Sequence, residues 1–221
     1  MTMAEVYGVK PKKFTKEWWP YFWLYYKWHT IVIVLAVIAI IYTIVEMSTQ
    51  TKYDLKMIYY GYACCDDTAW QDLKAELEPG INDIDDNSEK NIDMFPLTLS
   101  TDDSMPQIDS ATYVKYTTSY SEDLSQLYIF DKTQMDIIQN DKSLADAYET
   151  VDKWVKTDLS DDRVIKSDGR PIAVSLKGSA VLEKSNIPSE DLYVALKSRE
   201  AQGQNEAAFE NAIITANNLI K

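Results

Sequence analysis

The chain has 221 residues, 46% of them hydrophobic and 26% charged, with a formal net charge of −13. Residues 1–30 set Lys10, Lys12, Lys13, Lys16 and Lys27 against Glu5 and Glu17, so they carry +3 and the remainder −16. A surface this acidic lacks the Lys/Arg needed to neutralise phosphates, which excludes nucleic acid as a partner and favours cationic ligands or basic partner faces.

Residues 1–20 read as a basic tail and 21–47 as a transmembrane helix. From Ile31 to Val45 the chain runs IVIVLAVIAIIYTIV, without a charge, Gly or Pro. Fifteen such residues are short for a bilayer core of ~30 Å, which takes about 20 helical residues. The aromatic stretch upstream supplies the rest. Trp18, Trp19, Trp23 and Trp28 are expected in the headgroup layer, with Lys27 snorkelling among them. His29, the only histidine, falls in the same collar. Lysines precede the apolar run and hardly follow it, so the positive-inside rule predicts a single-pass protein of the cell membrane with its N-terminus in the cytoplasm. Met47-Ser48-Thr49-Gln50 has no small-residue cleavage pattern, so an uncleaved signal anchor is expected.

Residues 48–221 are then an acidic extracytoplasmic domain. Asp54–Tyr60 reads as a strand stopping at Gly61. Cys64 and Cys65 are adjacent and cannot join distant segments; they read as small apolar side chains near a strand end, with a vicinal disulfide as the alternative. Asp66-Asp67 offers the N-cap of a helix with Trp70, Leu73 and Leu77 on one face, ended by Pro79-Gly80. Ile92–Leu99 is a second strand, Ile108–Ser121 a Tyr- and Thr-rich helix, and Leu124–Phe130 a buried strand followed by a short helix through Ile138. A helical turn or two is expected over Glu149–Lys156. Arg163–Lys166 and Ile172–Leu176 flank an Asp168-Gly169 turn, Ser179–Lys184 is a short helix and Leu192–Lys197 a strand. The last helix, Glu206–Ile220, carries Phe209, Ala212, Ile213, Ala216, Leu219 and Ile220 at helical spacing, a stripe to bury on a sheet. The pattern predicts an α/β domain with a parallel or mixed sheet flanked by helices.

The run DLSQLYIFDKTQMDIIQNDKSLADAY, Asp123–Tyr148, resembles a segment of bacterial extracytoplasmic solute-binding proteins, in which a strand ends in an aspartate and a short helix. SAVLEKSNI at Ser179–Ile187, LYVAL at Leu192–Leu196 and a closing helix are similar to membrane-anchored, reduced relatives of these proteins in Gram-positive bacteria. The Lys-, Trp- and Tyr-rich lead is similar to theirs too, and the resemblance covers about half of the outer domain. It implies a binding or interaction module, an accessory component of a membrane transporter, with a membrane or surface protein partner or a small ligand.

The chemistry motifs are sparse. There is no G-x-G-x-x-G, no P-loop and no G-x-S-x-G, and no histidine outside the membrane collar to serve a catalytic triad. No cofactor, metal or catalytic residue is expected. The rival readings are a surface hydrolase built on paired aspartates (Asp66-Asp67, Asp85-Asp86, Asp102-Asp103, Asp161-Asp162) and a structural subunit of a membrane complex. Asp83-x-Asp85-x-Asn87 matches the start of a calcium loop, but Ser88 and Met94 stand where Gly and Glu belong. Tyr59, Tyr60, Tyr62, Tyr113, Tyr116 and Tyr120 suit either a binding surface or simple cover of a sheet. Ligands of open α/β sheets gather at the carboxyl ends of strands. Asp131 and Thr133, directly after the third strand, are therefore the candidate ligand or partner residues, against the alternative that Asp131 caps its own helix.

Overall fold

The structure, a computed structural model, describes residues 12–16, 18–49, 52–100, 106–121, 125–157, 159–199 and 206–221. It divides into two units, Met1–Thr51 and Lys52–Lys221.

The first unit is one helix, α1 (Trp18–Thr49), which takes in three residues of the expected tail. Pro20 sits in its first turn, where its missing N–H interrupts no helical bond. Thirty-two residues at 1.5 Å each give a rod of about 48 Å, longer than a hydrocarbon core. Its Trp18–Glu46 portion is long and apolar enough to cross a membrane, and its most apolar stretch has no buried residue. Trp18 stacks on Phe22 at 4.8 Å, Phe22 on Tyr26 at 5.6 Å, and the Lys27 ammonium lies 5.9 Å from the Trp28 ring. The Thr30 and Thr43 hydroxyls donate to the Tyr26 and Ala39 carbonyls at 3.0 and 2.9 Å, so neither asks for a partner outside the helix.

The second unit is a six-stranded mixed sheet between two layers of helix. In chain order come β1 (Leu55–Tyr62), α2 (Asp67–Leu77), β2 (Ile92–Leu99), α3 (Pro106–Ser121), β3 (Leu127–Asp131), α4 (Lys132–Asn140) and α5 (Lys142–Ala145). Then follow β4 (Val164–Ser167), β5 (Arg170–Ser175), α6 (Ala180–Lys184), β6 (Leu192–Leu196) and α7 (Glu206–Leu219). The sheet order is β2-β1-β3-β6-β5-β4. β2, β1 and β3 are parallel; β6, β5 and β4 join on antiparallel.

The central strands read as continuous apolar runs because both of their faces are covered. Along β1 and β3 the side chains alternate between two cores. Leu55, Met57, Tyr59, Leu127 and Ile129 join α2, α6 and α7 on one face; Ile58, Tyr60, Tyr128 and Phe130 join residues of α3, α4 and α5 on the other. Burying a Leu or Ile fully is worth about 1.5–3 kcal/mol relative to exposure, so each face contributes substantially.

Local chemistry sets the element ends. The Asp66 carboxylate accepts from the Ala69 N–H at 2.9 Å to cap α2, which Pro79 and Gly80 end in a 3₁₀ turn. Asp168 and Gly169, at φ of 50° and 80°, make the two-residue β4–β5 hairpin turn. β1 runs past Gly61 to Tyr62, because its pairing with β2 continues to Leu99. β3 starts at Leu127; the expected start, Leu124, lies outside the described residues. The buried stripe of α7 also holds polar residues. Asn211 bonds to the Asp54 carbonyl and to both backbone groups of Asn82; Asn217 joins the Trp154 carbonyl to the Lys156 N–H. Each edge of the sheet is interrupted, β2 by Pro96 and β4 by a register shift between Ile165 and Lys166.

Candidate binding site

Because α2 leaves β1 for one face and α4 leaves β3 for the other, the crevice between their carboxyl ends is where an open α/β sheet usually takes a ligand. Here the protein's own side chain fills it. Asp131 Oδ1 accepts from the Gln134 N–H and caps α4, and Oδ2 accepts from the Tyr62 N–H at the end of β1, both at 2.8 Å. A Cβ on Gly61 would lie 2.6 Å from the Asp131 Cγ, so only glycine admits the carboxylate this close. Asp131 thus ties β1 to β3 and α4. Thr133 is exposed on the first turn of α4, with no side-chain hydrogen bond to the Asp131 carboxylate.

The open space lies beside this crevice, on the face covered by α3, α4 and α5. A cavity of about 410 Å³ is lined by Tyr60 of β1, Tyr113 and Tyr116 of α3, Gln134 and Ile138 of α4, and Tyr148 beyond α5, among others. Tyr60 stacks on Tyr116 with ring centroids 4.2 Å apart and planes 4° from parallel. The Tyr116 and Tyr148 hydroxyls are 2.8 Å apart and hydrogen-bonded, and Tyr148 meets Phe130 edge-on. These rings rest on Tyr128 and Phe130, both fully buried. The rim is apolar and open: Tyr113 is 57% exposed, Ile137 51% and Leu144 38%.

Of the six tyrosines the sequence brings forward, the structure gathers Tyr60, Tyr113 and Tyr116. Tyr59 points to the opposite core against Trp70 and donates its hydroxyl to the Tyr62 carbonyl. Burial pushes the Tyr59 phenol well above its ordinary value, with the Cys64 thiol adding to the effect. Tyr62 stands exposed at the strand end, and the Tyr120 side chain lies outside the described residues. Tyr148 carries no local signal in the sequence, since it is brought in through a bridge to Lys197.

The remaining sequence candidates lie elsewhere. Cys64 and Cys65 are free and half-buried, their sulfurs 3.7 Å apart, at the wall of a separate hollow of about 340 Å³ with Asp66, Asp72 and Asn186. Burial, then the neighbouring Cys64, pushes the Cys65 thiol up to about 12, which keeps it protonated at neutral pH. Asp83 and Asp85 meet Asp54 with carboxylate oxygens within 4.8 Å of one another, the one place among the described residues where three such groups could hold a cation. The buried Asp54 uses both oxygens on the backbone, accepting from Ile84 and Asn91 N–H at 2.7 and 2.8 Å, and Lys52 lies 3.3 Å from Asp85. Met94, at the twelfth position of a calcium loop, is a core residue of β2, and Asn87 accepts from the Glu89 N–H. Among the paired aspartates, Asp66 is a helix cap and Asp102-Asp103 lie outside the described residues.

Comparison with protein-family models, with curated proteins and with solved structures finds no match to this chain.

Proposed function

We propose that this chain is a membrane-anchored extracytoplasmic binding module, held to the bilayer by α1 and taking a small ligand in the tyrosine-lined cavity. The observation that carries the reading is the cavity itself. Its volume of about 410 Å³ falls within the range of ~300–1,000 Å³ usual for small-molecule sites, and it combines an apolar wall with a few polar groups. Rigid, amphipathic tyrosine rings lose little rotamer freedom on contact, which suits them to binding. The lysines ahead of the apolar run support an N-in, C-out orientation. The resemblance to reduced solute-binding proteins supports a place beside a membrane transporter.

A photo-crosslinking residue at the exposed position Tyr113, activated in cells, tests this reading through the intact mass of the recovered protein. A discrete adduct in the small-molecule mass range is expected. A protein-sized adduct, or no adduct, overturns it. Protease added to intact protoplasts should remove the unit from Lys52 to Lys221 and spare the tail; protection of that unit overturns the orientation.

A further inference from the structure

We infer that the tyrosine cavity selects an uncharged, mostly apolar ring compound carrying one N–H or O–H donor. This rests on the binding reading above and specifies its ligand. The first argument is charge. The chain is 26% charged, yet none of the eleven lining residues is Asp, Glu, Lys, Arg or His. A charged ligand seated there would give up water for a wall with no counter-charge, a transfer that disfavours it.

The acidity of the domain raises a cation as the rival. Of the 22 basic and 35 acidic residues, residues 1–51 hold five and three, so 52–221 carry a formal −15. A cation cage, however, needs aromatic faces turned to the ligand. Here one face each of Tyr60 and Tyr116 is spent on their mutual stack. Tyr148 is committed edge-on to Tyr128 and Phe130, at 5.8 and 5.6 Å between centroids. The rings pack as an apolar wall rather than as an open cage.

The second argument is hydrogen bonding. The Ser143 hydroxyl hydrogen goes to Asp141 at 2.6 Å, so Ser143 offers the cavity an oxygen acceptor. Gln134 adds a side-chain amide that can accept through its carbonyl or donate through its NH2. A ligand donor can meet the Ser143 oxygen, which its bond to Asp141 leaves as an acceptor only; a ligand without a donor forgoes that bond. The volume admits one or two fused rings and excludes a folded protein segment.

The test uses four probes with one ring system: indole, 1-methylindole, tryptamine and indole-3-acetate. Binding to the full chain in lipid nanodiscs is measured by saturation-transfer NMR and calorimetry, with empty nanodiscs subtracted. Indole should bind; the tryptamine cation and the acetate anion should bind at least about tenfold more weakly, and 1-methylindole several-fold more weakly. Leu144→Asp places a charge on the exposed rim and should abolish indole binding while leaving the thermal melt unchanged. Tryptamine binding more tightly than indole overturns the uncharged class and leaves the cavity as the binding site. Equal binding of 1-methylindole overturns the donor requirement. Indole binding that survives both Leu144→Asp and Tyr113→Ala overturns the cavity itself, and the proposed function with it. A small crosslinked adduct at position 113 without indole binding overturns the ligand class alone.

Discussion

The two faces of one sheet are built to different ends. Under α2, α6 and α7 the core is mostly aliphatic and closed at its centre, with Leu73, Leu182, Ala212, Ala216 and Leu219 fully buried and the hollow beside Cys64 and Cys65 confined to one end. Under α3, α4 and α5 it is aromatic; its rings, Tyr60, Tyr116, Tyr128, Phe130 and Tyr148, are buried too, but a cavity remains beside them with an exposed apolar rim of Tyr113, Ile137 and Leu144. Both faces are fed by the same strands, alternating residue by residue. A closed face can spend every contact on stability, because shape complementarity there has no other use. An open face leaves apolar surface uncovered, which folding alone does not reward. On the binding reading, the contrast separates residues that hold the domain from residues that would meet a ligand.

The largest expected effect is on the closed face. Leu73→Ala removes a fully buried side chain and should cost about 2–5 kcal/mol in denaturant unfolding. Indole binding by the folded fraction should stay at the wild-type level; a loss of binding in step with stability would dissolve the contrast. Gly61→Ala comes next, forcing a Cβ against Asp131, at about 1–3 kcal/mol. Its cost should shrink in the Asp131→Ala background, where the obstructing carboxylate is gone. Asp131→Ala by itself should cost about 1 kcal/mol as a lost helix cap and leave probe binding intact. Loss of binding at an unchanged melting temperature would return Asp131 to the site.

Glu149 tests the seam behind the open face through pH. Burial alone would raise its carboxyl, but the Lys153 ammonium at 2.8 Å and the Thr150 and Arg199 N–H groups outweigh this and hold it below its ordinary value. A depressed folded value means stability that is present above the unfolded pKa of about 4.3 and lost as pH falls through the folded one. Glu149→Gln should therefore cost about 1 kcal/mol at pH 7, a gap that closes on acidification below pH 4. A gap independent of pH would show a packing effect instead. The smallest change in stability is expected for Tyr113→Ala, within about 0.5 kcal/mol because the ring is mostly exposed, while indole affinity falls. A mutant that melts like wild type and binds like wild type would leave the open face without a use.

The closed face was legible in the sequence because its signals are local. Asp66 and Pro79-Gly80 bracket α2, Asp168-Gly169 marks the hairpin, and the α7 stripe repeats at helical spacing. The mixed sheet was legible for the same reason, since strands and helices alternate in plain view. The candidate site was only half legible. Tyr60, Tyr113 and Tyr116 were visible as an excess of tyrosine, but Tyr59 and Tyr60 part company because adjacent strand residues face opposite ways. Ser143 and Tyr148 reach the cavity from α5 and the turn after it, and α5 left no periodic signal because it is four residues long; Gln134 comes from the first turn of α4, where nothing set it apart from its neighbours. Asp131 looked like a ligand residue because it follows a strand. Its tie to Tyr62 crosses 69 positions of sequence, a distance at which no spacing rule operates.

The interrupted sheet edges have a consequence for crowding. On the membrane-anchored reading, α1 confines every copy to a plane, where neighbours meet far more often than in free solution. Two flat, exposed strands brought together side by side would join into a continuous sheet. Pro96 withholds a backbone donor midway along β2, and the kink at Ile165/Lys166 spoils the register that a neighbour would have to match on β4. Both interruptions thus work against the joining of neighbouring sheets edge to edge, however densely the domain is displayed.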